Sequence, residues 1–205
     1  APKLRPYMKL AAQLGSFAGQ LTESRITKVT IEYEGEVADL NVRPLTAIVL
    51  EGLLKPLMDS VNMVNAPGLA RERDIEVAEV KLDREGDYHT LVRLTVTTEK
   101  QERSLAGTLF SDGGARLVEV KGINIEAQLC EHMLYTVNDD LPGFIGNLGS
   151  VLGNAGLNIA TFNLGRAAAG KEAIALVALD QAVADGVLKE VRALPHVKQA
   201  KVLRF

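Results

Sequence analysis

Tryptophan is absent, cysteine occurs once and histidine only three times, at His89, His132 and His196. The lone Cys130 rules out an internal disulfide and a thiolate cage for a metal, and it suits a reduced, cytoplasmic chain. Neither charge dominates. Lys plus Arg is 23 and Asp plus Glu is 26, for a net charge of −3, so the basic excess of a nucleic-acid binder is lacking. No apolar run approaches the roughly 18–20 residues of a membrane span. The opening Ala1-Pro2-Lys3-Leu4-Arg5-Pro6 lacks the apolar core of a secretory signal and begins without Met, as expected of a processed product or a piece of a longer polypeptide. P-loop, HExxH, GxSxG and G-x-G-x-x-G patterns are all missing, so nucleotide, zinc-protease and serine-hydrolase chemistry have no signature here. The nearest approach to a dinucleotide loop, Gly146-Asn147-Leu148-Gly149 continuing to Gly153, has the wrong spacing. It is expected inside a helix, serving close packing on a sheet. Cys130 and His132 would face the same side of an extended chain, but nothing positive lies beside the thiol to make it reactive.

What is present is a globular composition, 47 % hydrophobic and 24 % charged in 205 residues, which excludes wholesale disorder and fits one large or two small domains. Leu4, Tyr7, Met8, Ala11, Leu14, Ala18 and Leu21 repeat at helical spacing. Gly15 and Gly19 would let another backbone approach this helix, and its partner is expected outside the sequence. Lys28–Glu34 alternates as a half-buried strand. Pro44–Asp59 returns to helix, with a kink expected at Pro56. Residues 60–74 read as a loop and a short helix after Pro67. Ile75–Leu82 alternates with one phase slip, which predicts a bulge. A hairpin turn is expected at Arg84–Asp87, a second polar turn at Glu99–Glu102, and further strands at 92–96, 105–110, 117–120 and 123–127. This spacing reads as an antiparallel-rich sheet.

From Glu131 the pattern changes to strand 132–138, helix 143–154, strands 158–164 and 173–180, helix 184–194 and strand 197–203. That order is ferredoxin-like βαββαβ. The first of these helices is expected to turn Phe144, Ile145, Leu148, Val151 and Leu152 to the core. The chain is therefore expected to be α+β, with a helix-and-sheet domain over 1–130 and a ferredoxin-like domain over 131–205.

Candidate chemistry gathers where the first strand of that second domain meets its helix. Asp139-Asp140 admits three readings: an acid/base dyad of a stand-alone hydrolase, a helix cap, or half of a binding corner. In the last, the helix start after Leu141-Pro142-Gly143 offers N–H groups to a carboxylate, Asp140 offers charge to an ammonium, and Asn138 adds an amide. Asn158, at the entry of the next strand, can donate and accept at once. A carboxylate and an ammonium together are what a free amino acid presents.

The run Leu134-Tyr135-Thr136-Val137-Asn138-Asp139-Asp140-Leu141-Pro142-Gly143-Phe144-Ile145-Gly146, followed by Leu152-Gly153-Asn154-Ala155-Gly156-Leu157-Asn158-Ile159-Ala160, resembles an ACT domain. It is most similar to that of the D-3-phosphoglycerate dehydrogenases, and Asn163-Leu164-Gly165-Arg166 continues the pattern. Ala1–Tyr7, Leu14-Gly15, Val64-Asn65-Ala66-Pro67 and Ser104–Leu109 resemble the intervening, allosteric substrate-binding region of the longer members. The resemblance implies a non-catalytic regulatory and oligomerisation region of an NAD-dependent enzyme of serine biosynthesis, with no cofactor or metal of its own and with the dehydrogenase domains elsewhere in the polypeptide. It implies an effector site at Asn138, Asp140, Leu141, Pro142 and Gly143 that faces Asn158 of a partner chain, with L-serine bridging an ACT–ACT pair of a homo-oligomer. Asn138 stands where His or Tyr is frequent, and Leu141 where Arg is frequent. The family's intervening region also implies an anion effector, for which Arg71, Arg73, Arg116 and Lys121 are candidates. The regulatory part of an iron–sulfur L-serine dehydratase shares similar modules and is the alternative.

Overall fold

A computed structural model describes residues 2–84 and 86–205. The chain divides into two compact units, residues 1–121 and 122–205, whereas the change in sequence character was expected at 130/131. Strand β6 (Ile123–Ala127), which precedes that point, falls in the second unit, where Gly165 lets the backbone of Asn124 pack against it; a Cβ at Gly165 would overlap the Asn124 carbonyl oxygen.

In the first unit, α1 (Arg5–Leu21) is followed by β1 (Ile26–Gly35), α2 (Arg43–Leu54), α3 (Ala66–Glu72), β2 (Glu76–Leu82), β3 (Thr90–Thr98), β4 (Glu102–Leu109) and β5 (Ala115–Val120). Proline occupies the first turn of all three helices, where its missing N–H costs no intrahelical bond. Its strands pair in the order β2-β1-β3-β4-β5.

The partner of α1 lies within the chain, contrary to expectation. Gly15 and Gly19 of α1 meet α2 so closely that a Cβ on either would overlap the carbonyl oxygen of Val49 or Leu53. From the other side, a Cβ on Gly52 would stand 2.8 Å from the Ala12 carbonyl oxygen. Leu10, Leu14 and Phe17 of α1 and Leu45, Val49 and Leu53 of α2 are fully buried. The Tyr33 hydroxyl of β1 reaches Thr46 of α2 at 2.7 Å, and burial pushes the phenol pKa well up.

Three further expectations are corrected. Pro56 does not kink a helix: α2 ends at Leu54, since Pro56 cannot donate the next backbone bond. The phase slip in 75–82 is not a bulge, because β2 pairs with β1 in unbroken register. It marks a half-exposed edge strand, where strict alternation is not required. The pairing of β2 with β1 is parallel, reached through α2 and α3, as parallel neighbours require a crossover. Segment 83–89 is therefore not a hairpin, since β1 lies between β2 and β3; Glu85 lies outside the described residues.

The second unit adds β7 (Met133–Asp139), α4 (Phe144–Asn154), β8 (Ile159–Arg166), β9 (Glu172–Leu179), α5 (Asp185–Arg192) and β10 (Val197–Leu203). Sheet order β10-β7-β9-β8, antiparallel throughout, is the ferredoxin-like arrangement. Leu134, Ala175, Val177 and Ala200 form one sheet face that packs with Phe144, Leu148 and Leu152 of α4 and Val191 of α5. Strands β7 and β9 are buried on both faces, which is why Ala173–Leu179 reads as an unbroken apolar run. The buried stripe of α4 is narrower than expected. Ile145 is exposed, and Gly146, Gly149 and Gly153 have open space rather than a packed neighbour, because Phe144, Leu148 and Leu152 form the buried stripe, with Val151 partly buried beside them.

The two glycine sets make opposite predictions. Gly15→Ala forces a methyl into the α2 backbone and should lower unfolding free energy by about 1–3 kcal/mol. Gly153→Ala meets nothing and should raise it by up to about 1 kcal/mol through helix propensity. Urea denaturation of the two variants checks both signs.

Candidate functional site

The C-terminal end of β7 is built from three short-range decisions. Asn138 pairs with Ala173 of β9 on one side and Val197 of β10 on the other, so its side chain lies on the face covered by α4 and α5, as does that of Leu134. It is 2 % exposed. Its Nδ2 donates to the Asp139 carbonyl at 2.8 Å, while Oδ1 is buried with no hydrogen-bond partner. A buried acceptor left unpaired costs free energy, so this oxygen is primed for a donor.

One residue on, Asp139 faces a cation. Lys198 of β10 lies 3.3 Å from Asp139 and 3.5 Å from Glu172, and these hydrogen bonds hold the ammonium pKa above its ordinary value. Asp140 leaves the sheet and meets the β8–β9 loop. Its Oδ2 accepts from Arg166 Nη1 at 2.9 Å and from the Gly170 N–H at 3.2 Å. Its own N–H donates to the Lys171 carbonyl at 2.7 Å. Gly170 takes φ +72° to turn that loop, a conformation costly for other residues. The hydrogen bond from Arg166, then that from Gly170, depresses the Asp140 carboxyl pKa. A glycosidase-like dyad needs one carboxyl raised towards neutrality. Here the adjacent carboxylates are drawn to different cations and Asp140 is pushed the other way, which makes Asp140 a poor acid for such a dyad.

Leu141, Pro142 and Gly143 are exposed and lead into α4. Gly143 at φ +92° starts the helix, and no side chain caps it, which leaves its first N–H groups directed to the outside. The corner therefore combines a depressed carboxylate, an unpaired amide oxygen and uncapped N–H donors.

Asn158 is elsewhere in the same chain. It is exposed, its Nδ2 donates to Asp180 Oδ2 at 2.6 Å, and its carbonyl accepts from the Asp180 N–H. Asn138 is level with Ala173 at one end of β9, and Asn158 with Asp180 past the other. Seven residues of strand separate the two levels, roughly 23 Å. One chain does not bring Asn158 to the corner.

The four anion candidates do not converge. Arg71 lies in the last turn of α3 and Arg73 just past it; Arg73 lines a cleft of about 510 Å³ with Arg25, Leu54, Leu57 and Ile75. Arg116 is on β5, at the far side of the sheet from β2. It pairs with Asp112 at 3.7 Å and lies over the Phe110 ring at 4.9 Å. Lys121 ends the same unit at φ +54°. Cys130 bonds the His132 carbonyl, at 3.8 Å from Sγ, and not its imidazole. Among the described residues, no group of three His, Cys, Asp or Glu side chains is placed to hold a metal, and no helix is long and apolar enough to cross a membrane.

The residue that sequence reasoning passed over is Arg166. It appeared only as the end of a motif, because its link to Asp140 depends on the β8–β9 loop folding back, which local spacing does not show.

Comparison with known proteins bears on this arrangement. Residues 3–121 match the model of the D-3-phosphoglycerate dehydrogenase intervening domain. The chain belongs to that family. Similar proteins include the D-3-phosphoglycerate dehydrogenases of Bacillus subtilis, 35 % identical over 98 % of this chain, and of Synechocystis, 37 % identical over 99 %. That of Methanocaldococcus jannaschii is 32 % identical over 99 % of the chain. Each alignment extends past the intervening domain through the second unit, yet the chain spans only 37–38 % of these relatives' length.

The depressed Asp140 titration is testable beside the intervening domain. In carbon-detected NMR, its carboxyl should titrate below the ordinary aspartate range, and Arg166→Gln should return the midpoint towards that range. Because the folded value is depressed, the ion pair contributes at neutral pH and is lost as pH falls through the folded pKa. An unmoved midpoint in Arg166→Gln would show that Gly170 alone sets the shift.

Proposed function

We propose that this chain is the regulatory region of an NAD-dependent D-3-phosphoglycerate dehydrogenase of serine biosynthesis. Its second unit acts as an ACT domain that binds a small amino acid, L-serine first, between two copies. The observation that carries this reading is the corner at the end of β7, where complementary groups for a zwitterion meet beside the buried Asn138: Asp140 for an ammonium, uncapped α4 N–H groups for a carboxylate. The similarity of the whole chain to D-3-phosphoglycerate dehydrogenases supports the choice of enzyme.

The separation of Asn158 from the corner supports a shared site. A two-fold axis that inverts the strand direction of one copy relative to the other sets Asn158 of each chain opposite the corner of its partner. Such a site exists only in the pair, so the effector stabilises the paired state and shifts whatever equilibrium the pair controls. NAD itself does not fit these residues. The ferredoxin-like sheet is antiparallel, and Gly146, Gly149 and Gly153 lie within α4 rather than in a strand-to-helix turn. Hydride transfer therefore belongs to a dehydrogenase module, and the part played by this chain is binding and coupling.

Complementation tests the shared site. Titration calorimetry should show L-serine binding to the wild-type chain and none to Asn158→Ala or Asp140→Ala alone. An equimolar mixture of the two variants, allowed to exchange partners, should regain about a quarter of the sites, since half of the pairs are mixed and each mixed pair has one intact site. No recovery, with both variants still paired in sedimentation, overturns the shared site.

A further inference from the structure

Arg166 and Asp140 form an ion pair that is satisfied on one side only. Nη1 of Arg166 and the Gly170 N–H both go to Oδ2 of Asp140. Among the described residues, Oδ1 of Asp140 accepts no hydrogen bond, and the remaining N–H groups of Arg166 make none. The side chain of Arg166 is 57 % exposed and that of Asp140 is 23 % exposed, so the open edges of both are within reach of solvent.

The sheet fixes where this pair stands. Arg166 is directly opposite Ala173 of β9, and Ala173 is directly opposite Asn138 of β7. Directly paired residues project to the same face. Arg166, Ala173 and Asn138 therefore form one row on the helix-covered face, with a methyl group between a guanidinium and a buried amide oxygen that has no partner. The middle of the row is covered, since Ala173 is 1 % exposed, and only its Arg166 end reaches solvent. Asp140 lies two residues along the chain from Asn138, beside Lys171, on the segment that leads to the uncapped start of α4.

We propose that Arg166 is a ligand-binding residue of this corner: it holds the α-carboxylate of the amino acid, while Oδ1 of Asp140 takes the α-ammonium. This rests on the amino-acid reading above and adds to it a specificity determinant, the requirement for an ionised carboxylate. The ion pair stays formed when ligand is bound. Its Nη1–Oδ2 edge holds the two side chains parallel, and its outer edge presents a positive and a negative group side by side, the mirror of a zwitterion. A guanidinium donates to a carboxylate through two parallel N–H groups, a geometry that lysine or a helix N-terminus alone does not supply. A neutral amide in place of the carboxylate would leave those donors facing another donor.

Calorimetry with matched ligands tests this on the 205-residue chain: L-serine against L-serinamide, with glycine against glycinamide in parallel. The wild-type chain should prefer each acid over its amide by at least about 10-fold. Arg166→Gln should weaken binding of the acid by about 10–100-fold and of the amide far less, so that the preference disappears. Arg166→Lys should recover part of the acid affinity. Two results on the variant overturn the proposal: unchanged affinity for the acid, or equal weakening of acid and amide, which would make Arg166 a positioning residue for Asp140. A wild-type chain that binds none of the four ligands overturns the amino-acid reading itself, and this inference with it. Because both side chains are on the surface, circular dichroism should show the variants folded as the wild type.

Discussion

The insertion of β9 between β7 and β8 governs the second unit. It forces β7 and β8 to run parallel without touching, each paired antiparallel to β9. The exit of β7 and the entry of β8 then lie at opposite ends of one sheet. Asn138 and Asp140 belong to the first, Asn158 to the second. No side-chain rotamer spans that distance, so residues that look like a cluster in sequence become two half-sites in space. The same insertion places Arg166, at the far end of β8, level with Asn138. The topology removes one expected member of the corner and supplies another.

Much of this was legible in the sequence, and the reasons are specific. The βαββαβ order followed from strong local signals: the unbroken apolar run of β9, the Pro142-Gly143 start of α4 and the Pro195 that bars the helix α5 from continuing. Helix boundaries fell within a few residues of expectation for α1, α4 and α5. What failed needed knowledge of a neighbour. The parallel partnership of β1 with β2 is invisible from alternation alone, because β2 is an edge strand whose pattern is set on one side only. The partner of α1 was already present in Gly52 of α2 and the carbonyls of Val49 and Leu53, but a glycine in a helix does not say which backbone it admits.

The glycines of α4 show the limit from the other side. Their spacing suggested close packing on the sheet, by the logic that holds for Gly15 and Gly19. The structure gives them open space instead. The difference is one of phase. In α1 the glycines fall on the buried stripe beside Leu14 and Ala18, whereas in α4 they fall off the Phe144, Leu148 and Leu152 stripe. Small residues on an exposed helix face lower propensity without any packing return inside the chain. In the proposed pair of second units, that face and the exposed Ile145 are apolar surface without an intrachain neighbour.

The charge arrangement around Asp139 and Asp140 carries the functional argument furthest. Adjacent carboxylates attract attention as a catalytic dyad because like charges held close raise one pKa. Here each carboxylate has its own cation from a different strand, Lys198 from β10 and Arg166 from β8. The outcome is a depressed Asp140, which is unsuited to giving up a proton near neutrality but well suited to remaining charged opposite an ammonium. Binding that depends on it should therefore persist into mildly acidic conditions, until pH falls through the depressed pKa. A site that keeps its charge while its own counter-ion stays attached does not need to break an ion pair to accept a zwitterion; it extends the pair by one more layer of opposite charges.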